Sequence, residues 1–284
     1  MQPHTCYLVC ATPRSGSTFL YDILNNTGIA GQPKEYFQPP IVRPQDYFET
    51  EEHTDVATLL AGSWPDSDPV EPAVWDGSDY ADYLMKVLEK STTPNGVFGA
   101  KVMWGHLDYF LDKLWGLPQY REFPAPDLLS KVFPNLHYIW IRRQEKLRQA
   151  VSLWKAIQTW TWKAGEPPKG GFSYPAREPL FHYEAIGYLL QQLLAHEAAW
   201  QQYFNANGIK PFTVVYEEWT SAYEATALNI LQYLHIPIPK NLVVAEPPMQ
   251  RQADALSEEW VRQYQAQKRE REEKIAEQRS RRRR

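Results

Sequence analysis

The N-terminal segment constrains the fold more than any other part of the chain. Thr5–Ala11 reads as a buried strand, and it passes directly into Thr12-Pro13-Arg14-Ser15-Gly16-Ser17-Thr18, a turn-forming segment. Phe19, Leu20, Ile23 and Leu24 then recur on one side of a helix. A strand that is apolar on both faces needs helices on both sides of its sheet. Further buried strands are predicted at Val97–Val102, Leu136–Ile141 and Pro211–Tyr216, and helices at Tyr80–Lys90, Gln149–Gln158, Glu184–Asn205 and Tyr223–Leu234. Strands alternating with helices predict an α/β fold with a mainly parallel sheet flanked by helices. Asn207-Gly208 is a natural helix end before the last strand, because glycine takes the left-handed conformation freely.

A chain of 284 residues with 43% apolar and 14% aromatic residues can bury a large core, which excludes intrinsic disorder. The longest apolar runs, such as Cys6–Ala11 and Leu136–Ile141, fall far short of the roughly 20 residues a bilayer-spanning helix needs. The start, Met1-Gln2-Pro3-His4-Thr5, lacks the pattern of a secretory leader. Cys6 and Cys10 are too far apart along one strand to bridge, so reduced thiols and a cytoplasmic location are expected. One domain over residues 1–267 is predicted, with long loops at Trp64–Asp79 and Ala164–Pro179. Residues 268–284 carry nine Lys or Arg against four Glu, so the rest of the chain is more acidic than its net charge of −4 suggests. This basic tail, ending in Arg281–Arg284, is expected to fray and is given no function.

Laid against the nucleotide phosphate loop G-x-x-x-x-G-K-[ST], Ala11–Thr18 matches in length, in Gly16 and in Thr18. Ala11 replaces the first glycine and Ser17 the lysine. What remains is a strand-to-helix turn whose N–H groups, with the Ser15, Ser17 and Thr18 hydroxyls and the Arg14 guanidinium, suit a phosphate or sulfate without a metal. No metal-ligand spacing and no G-x-S-x-G elbow occurs. Two other readings stay open: a metal-dependent phosphotransferase using a degenerate loop, and a non-catalytic nucleotide- or RNA-binding protein using the basic tail.

Thr12-Pro13-Arg14-Ser15-Gly16-Ser17-Thr18-Phe19-Leu20, with Thr27–Phe37, Gly99–Trp104, Arg142-Arg143, Gln149–Ser152, Tyr216-Glu217-Glu218, Arg251–Asp254 and Glu259-Trp260, resembles the Stf0 family of bacterial sulfotransferases, the trehalose 2-sulfotransferases, over nearly the whole chain. The resemblance implies the P-loop-like sulfotransferase fold, 3′-phosphoadenosine 5′-phosphosulfate (PAPS) as donor and its bisphosphate, PAP, as product, with no metal. It puts Arg14, Ser15, Gly16, Ser17 and Thr18 on the 5′-phosphosulfate. Arg142 or Arg143, with Ser152 on the next helix, would take the 3′-phosphate, and the spacing does not decide between the two arginines. Arg251 is a further candidate for that phosphate, and Tyr216 is either an adenine contact or a core residue.

The resemblance also makes Glu35 the general base for the acceptor hydroxyl. His106, near a predicted strand end, is the rival base. Lys101 either points at the reacting oxygens or snorkels from the sheet. Tyr36, Phe37, Trp104, Trp154, Trp160 and Trp162 cluster in segments beside this chemistry and suit a sugar, so the expected acceptor is a carbohydrate, small molecule or glycolipid. No nucleic-acid partner is expected, and a homodimer is among the assemblies allowed.

Overall fold

Each residue of β1 (Thr5–Ala11) from Cys6 onward is buried, because the strand lies second in a four-stranded parallel sheet and is covered on both faces. Its neighbours are β2 (Val97–Met103) on one side and β3 (Leu136–Arg142) on the other, and β3 pairs with β4 (Phe212–Val215). The computed structural model describes residues 2–39, 79–159, 161–162, 178–245 and 254–283. The expected loop at Trp64–Asp79 therefore lies outside the described residues except for Asp79, and that at Ala164–Pro179 except for its last two residues. Trp160 and Arg251 also lie outside them.

Side chains of alternating strand positions build two different cores. Cys6, Leu8 and Cys10 pack with Phe98, Ala100, Tyr138 and Trp140 under α2 (Tyr80–Ser91), α3 (Trp104–Trp115), α4 (Ala125–Val132) and part of α6 (Tyr183–Ala206). Tyr7, Val9 and Ala11 pack with Ile139 and Ile141 under α1 (Ser17–Asn26) and α8 (Tyr223–Tyr233). A third cluster joins α5 (Lys146–Thr159), α6 and the first turns of α9 (Ala255–Arg282). The strand order β2-β1-β3-β4 makes the chain leave β1 to one side and later return to the other. The C-terminal end of β1 is thus the switch point where a parallel sheet opens a crevice for ligands.

The four predicted strands are present with ends shifted by one residue at most. The predicted helices α2, α5, α6 and α8 are present, and α6 ends before Asn207, with Gly208 at φ 63° as the sequence suggested. Among the described residues, two helices of more than one turn were not predicted. Leu107, Phe110, Leu111 and Leu114 give α3 its buried stripe, but the strand-like Val97–Trp104 run and Gly105 obscure its start. Proline in its first turn opens α4. The basic tail is drawn as helix: α9 continues through Arg282, with Asp254 capping its start by accepting from Ser257 N. Trp260, Val261 and Tyr264 are its buried residues, while Arg271 bonds Glu184 at 2.6 Å and lies over the Tyr183 ring. Cys6 and Cys10 are free and buried.

Candidate active site

The turn from β1 into α1 is held in a conformation that costs backbone energy. Arg14 has φ 60° and Gly16 φ 91°, and a left-handed non-glycine residue is uncommon. Alternation of this kind turns successive N–H groups into one concavity. The first turn of α1 has no side-chain cap, and its first backbone bond runs from Leu20 N to Gly16 O at 3.1 Å. The N–H groups of Ser17, Thr18 and Phe19 are therefore the orphan donors of a helix start. Ser15 Oγ is fully buried beside them and has no hydrogen-bond partner among the described residues. Buried polar atoms are normally satisfied, so these residues fit an anion held in the turn.

The turn is fastened from α5 and α6. Gln149, fully buried, donates from Nε2 to Thr12 Oγ1 at 2.9 Å and to Pro13 O at 2.6 Å. Trp200 Nε1 donates to Ala11 O at 3.0 Å. Arg14 reaches back to α5, donating from Nε to Ser152 Oγ at 3.1 Å and from Nη1 to Trp162 O at 2.5 Å. Burial, together with the neighbouring charge of Arg143, lowers Arg14 to about 10 against a pull upward from Tyr216. No carboxylate among the described residues lies within ion-pairing distance of Arg14.

The two arginines at the end of β3 part company. Arg142 pairs with Glu197 of α6 at 2.9 Å and lies over the Trp140 ring. Arg143 turns to the β1–α1 turn, donating to Arg14 O at 3.3 Å, and lies over the Tyr216 ring. Tyr216 opens the one-turn helix α7 (Tyr216–Trp219), and its ring is packed so closely on Gly16 that a Cβ there would lie 2.4 Å from Cδ2. Arg14, Ser152, Arg143 and Tyr216 are thus brought together, and Arg142 is directed to α6.

The segment carrying Glu35 reaches the same end of the sheet by lying along the outer edge of β2. Lys34 and Ala100 form a parallel bridge, with Lys101 N donating to Lys34 O at 2.8 Å. Gly31, at φ 70°, passes so close to β2 that a Cβ would meet Gly99 N at 2.8 Å, which only glycine tolerates. Glu35 then bonds Lys101 Nζ at 2.9 Å through Oε2, and its Oε1 lies 3.4 Å from Nδ1 of buried His106, in the first turn of α3. Burial pushes the Glu35 carboxyl up, but Lys101 and His106 outweigh it and hold the group well below the usual carboxylate range. Lys101 and the two rival bases therefore form one cluster.

Two of the aromatic residues expected at the acceptor lie in the core. Phe37 is 2% exposed, with its ring stacked on Phe110 at 4.1 Å, so it anchors the Glu35 segment from the core. Trp154 is buried and donates to Leu180 O at 2.8 Å. Tyr36 and Trp104 stay partly exposed; Tyr36 donates to Gln32 O at 2.7 Å, and Trp104 meets Trp200 edge-on. The sequence did not single out Gln149, Glu197 or Glu217 for any role. The available signal for Gln149 was a polar side chain on the buried face of α5, between loop and core.

His196 of α6 is neutral in this setting, because burial and the nearby His106 lower it to about 4 from 6.5. An unfolded histidine takes up its proton as the pH falls through 6.5 and the folded one does not until about 4, so acidification across that window removes stability. Glu35 acts in the same sense at lower pH, since a depressed carboxyl stabilises the fold above its unfolded value and loses that effect as the pH falls. Thermal unfolding from pH 7 to pH 4 should therefore show a falling melting temperature, with the fall between 6.5 and 4 reduced in His196→Gln. An equal fall in the variant would exclude His196 as its source.

The Stf0 sulphotransferase family model matches residues 6–267. A trehalose 2-sulfotransferase of Mycobacterium tuberculosis strain Erdman is 30% identical over 266 residues, covering 92% of this chain and 94% of the relative. That of Mycolicibacterium smegmatis is 32% identical over 277 residues with the same coverage. A sulfotransferase structure from Alicyclobacillus acidocaldarius is more distant, at 10% identity and a TM-score of 0.46 over 91% of this chain and 89% of that one. The family match spans both the β1–α1 turn and the Glu35 cluster, and on it and the two mycobacterial relatives the chain belongs to the Stf0 sulphotransferase family.

Proposed function

We propose that this protein transfers a sulfuryl group from PAPS to a hydroxyl of a carbohydrate, trehalose or a related glycoside or glycolipid. The observation that carries this reading is the meeting, at the C-terminal end of the sheet, of an anion-shaped turn with two arginines and a carboxylate that is kept ionised. Both mycobacterial relatives are trehalose 2-sulfotransferases, which supports the sugar. A degenerate kinase loop is the weaker reading, because Ser17 stands where ATP-type loops carry lysine.

The donor supplies a phosphosulfate anhydride whose cleavage leaves charge on the oxygen between phosphorus and sulfur. The N–H groups of Ser17 and Thr18, the Ser15 hydroxyl and Arg14 would hold that end of the donor, and they are fixed in advance, as stabilisation of developing charge requires. Arg143 and Ser152 would take the 3′-phosphate. Glu35 accepts the proton of the acceptor hydroxyl, and Lys101 keeps it ready by keeping it ionised. Tyr36 and Trp104 offer partly exposed aromatic faces for a sugar ring. We read residues 1–267 as one domain that performs this reaction in the cytoplasm, where thiols such as Cys6 and Cys10 stay reduced.

Thermal unfolding with added nucleotides tests the donor assignment. PAP should raise the melting temperature in the presence of EDTA, while AMP and ATP should do so much less at equal concentration. Equal stabilisation by ATP, or loss of the PAP effect on chelation, would overturn it.

A further inference from the structure

Arg143 is the arginine aimed at the phosphate loop, yet its contact with the loop is one long bond to the carbonyl of Arg14. A flexible guanidinium with so little hold on its target must be oriented from elsewhere. Two adjacent residues at the end of β4 do this. The Tyr216 ring has Gly16 of the loop packed against it, and the Arg143 guanidinium lies 4.7 Å from its centroid, within cation–π range. Glu217 accepts from Gln144 N and Glu145 N, each at 3.0 Å, through its two carboxylate oxygens. The same carboxylate lies 3.9 Å from Arg143 Nε, so it ties the turn after β3 to the charge of the arginine. Nε itself is buried and has no hydrogen-bond partner among the described residues, leaving a donor for a ligand oxygen.

We propose that Tyr216 and Glu217 are positioning residues that hold Arg143 against the phosphate loop, and that this pair, not Arg142, gives the protein its preference for a 3′-phosphorylated nucleotide. The proposal rests on the reading of the donor as PAPS. Tyr216 then works through its ring face and needs neither its hydroxyl nor a contact with adenine. Arg142, whose Nε is likewise buried without a partner among the described residues, is drawn to Glu197 and Trp140 and not to the loop, and takes no part.

Calorimetry of the full chain with PAP and with AMP separates the possibilities. Wild-type protein should prefer PAP. Glu217→Gln and Tyr216→Leu should each weaken PAP about tenfold and AMP less than about twofold, because the charge-assisted contact that is loosened involves only the extra phosphate. Tyr216→Phe, which keeps the ring, should retain the preference. Equal loss of PAP and AMP in Tyr216→Leu would make Tyr216 a nucleotide contact and overturn the proposal. So would a preference that survives Glu217→Gln and Tyr216→Leu but disappears in Arg142→Ala. A wild-type protein that binds AMP as tightly as PAP would instead overturn the donor reading beneath it. If either altered chain fails to fold, as judged by its unfolding transition, the other carries the same comparison.

Discussion

Glu35→Gln should lower turnover with a disaccharide acceptor by about 10²-fold or more while leaving donor affinity nearly unchanged, since general bases contribute roughly 10²–10⁴-fold and act in the transition state. The substitution preserves size and removes the negative charge, and with it both the capacity to take a proton and the ion pair with Lys101. His106→Asn should be milder, because His106 touches Glu35 from the buried side. The position of the acid limb of the pH–rate profile is a separate consequence. With Lys101 at 2.9 Å the carboxylate stays ionised far below neutral pH, so wild-type kcat/KM should show no loss attributable to Glu35 in the range where a free carboxyl titrates. Lys101→Met removes the largest force opposing burial, and burial then pushes the Glu35 pKa up. The acid limb should therefore move up toward the ordinary carboxylate range, with His106 still opposing burial. Full activity in Glu35→Gln with none in His106→Asn would transfer the role of base to the histidine.

What the sequence disclosed and what it hid follow a physical division. The strand, turn and helix at residues 5–26 were readable because each step is local: an apolar run, a turn rich in Ser, Gly and Pro, and a helical stripe. Glu35 was readable only through family resemblance, because its position depends on Lys34 bridging Ala100, a pairing between segments far apart in the chain. The choice between Arg142 and Arg143 was closed to the sequence for the same reason. Adjacent residues at the end of a strand diverge, and their partners, Glu197 on one side and Tyr216 with Glu217 on the other, come from distant elements. Aromatic clustering did not disclose that Phe37 and Trp154 are buried, since nearness in sequence to the chemistry does not separate an exposed ring from one packed in the core.

Gln149→Leu should be among the most damaging substitutions on α5, although Gln149 is assigned no contact with either substrate. Its amide is fixed at both ends: Nε2 donates to Thr12 Oγ1 and Pro13 O, and Oε1 accepts from Lys146 Nζ at 3.3 Å. Lys146 in turn pairs with Glu197 at 2.5 Å, so an unbroken polar chain runs from α6 to the residue that precedes Arg14. Leucine fills a similar space and can donate to nothing. The hydroxyl of Thr12 and the carbonyl of Pro13 would then be left buried and unpaired, at about 1–3 kcal/mol each, so a stability loss of roughly 2–6 kcal/mol is expected by urea unfolding. Because Arg14 is held left-handed directly after Pro13, PAP affinity should fall about tenfold or more with it. Gln201→Ala supplies the contrast: that glutamine bonds Asn205 on an exposed face of α6, and its loss should stay within about 0.5 kcal/mol. A Gln149→Leu protein that unfolds like the wild type and binds PAP as tightly would mean that the turn keeps its shape without this tether, leaving the burial of Ser15 and the packing of Tyr216 on Gly16 to hold the phosphate loop in place.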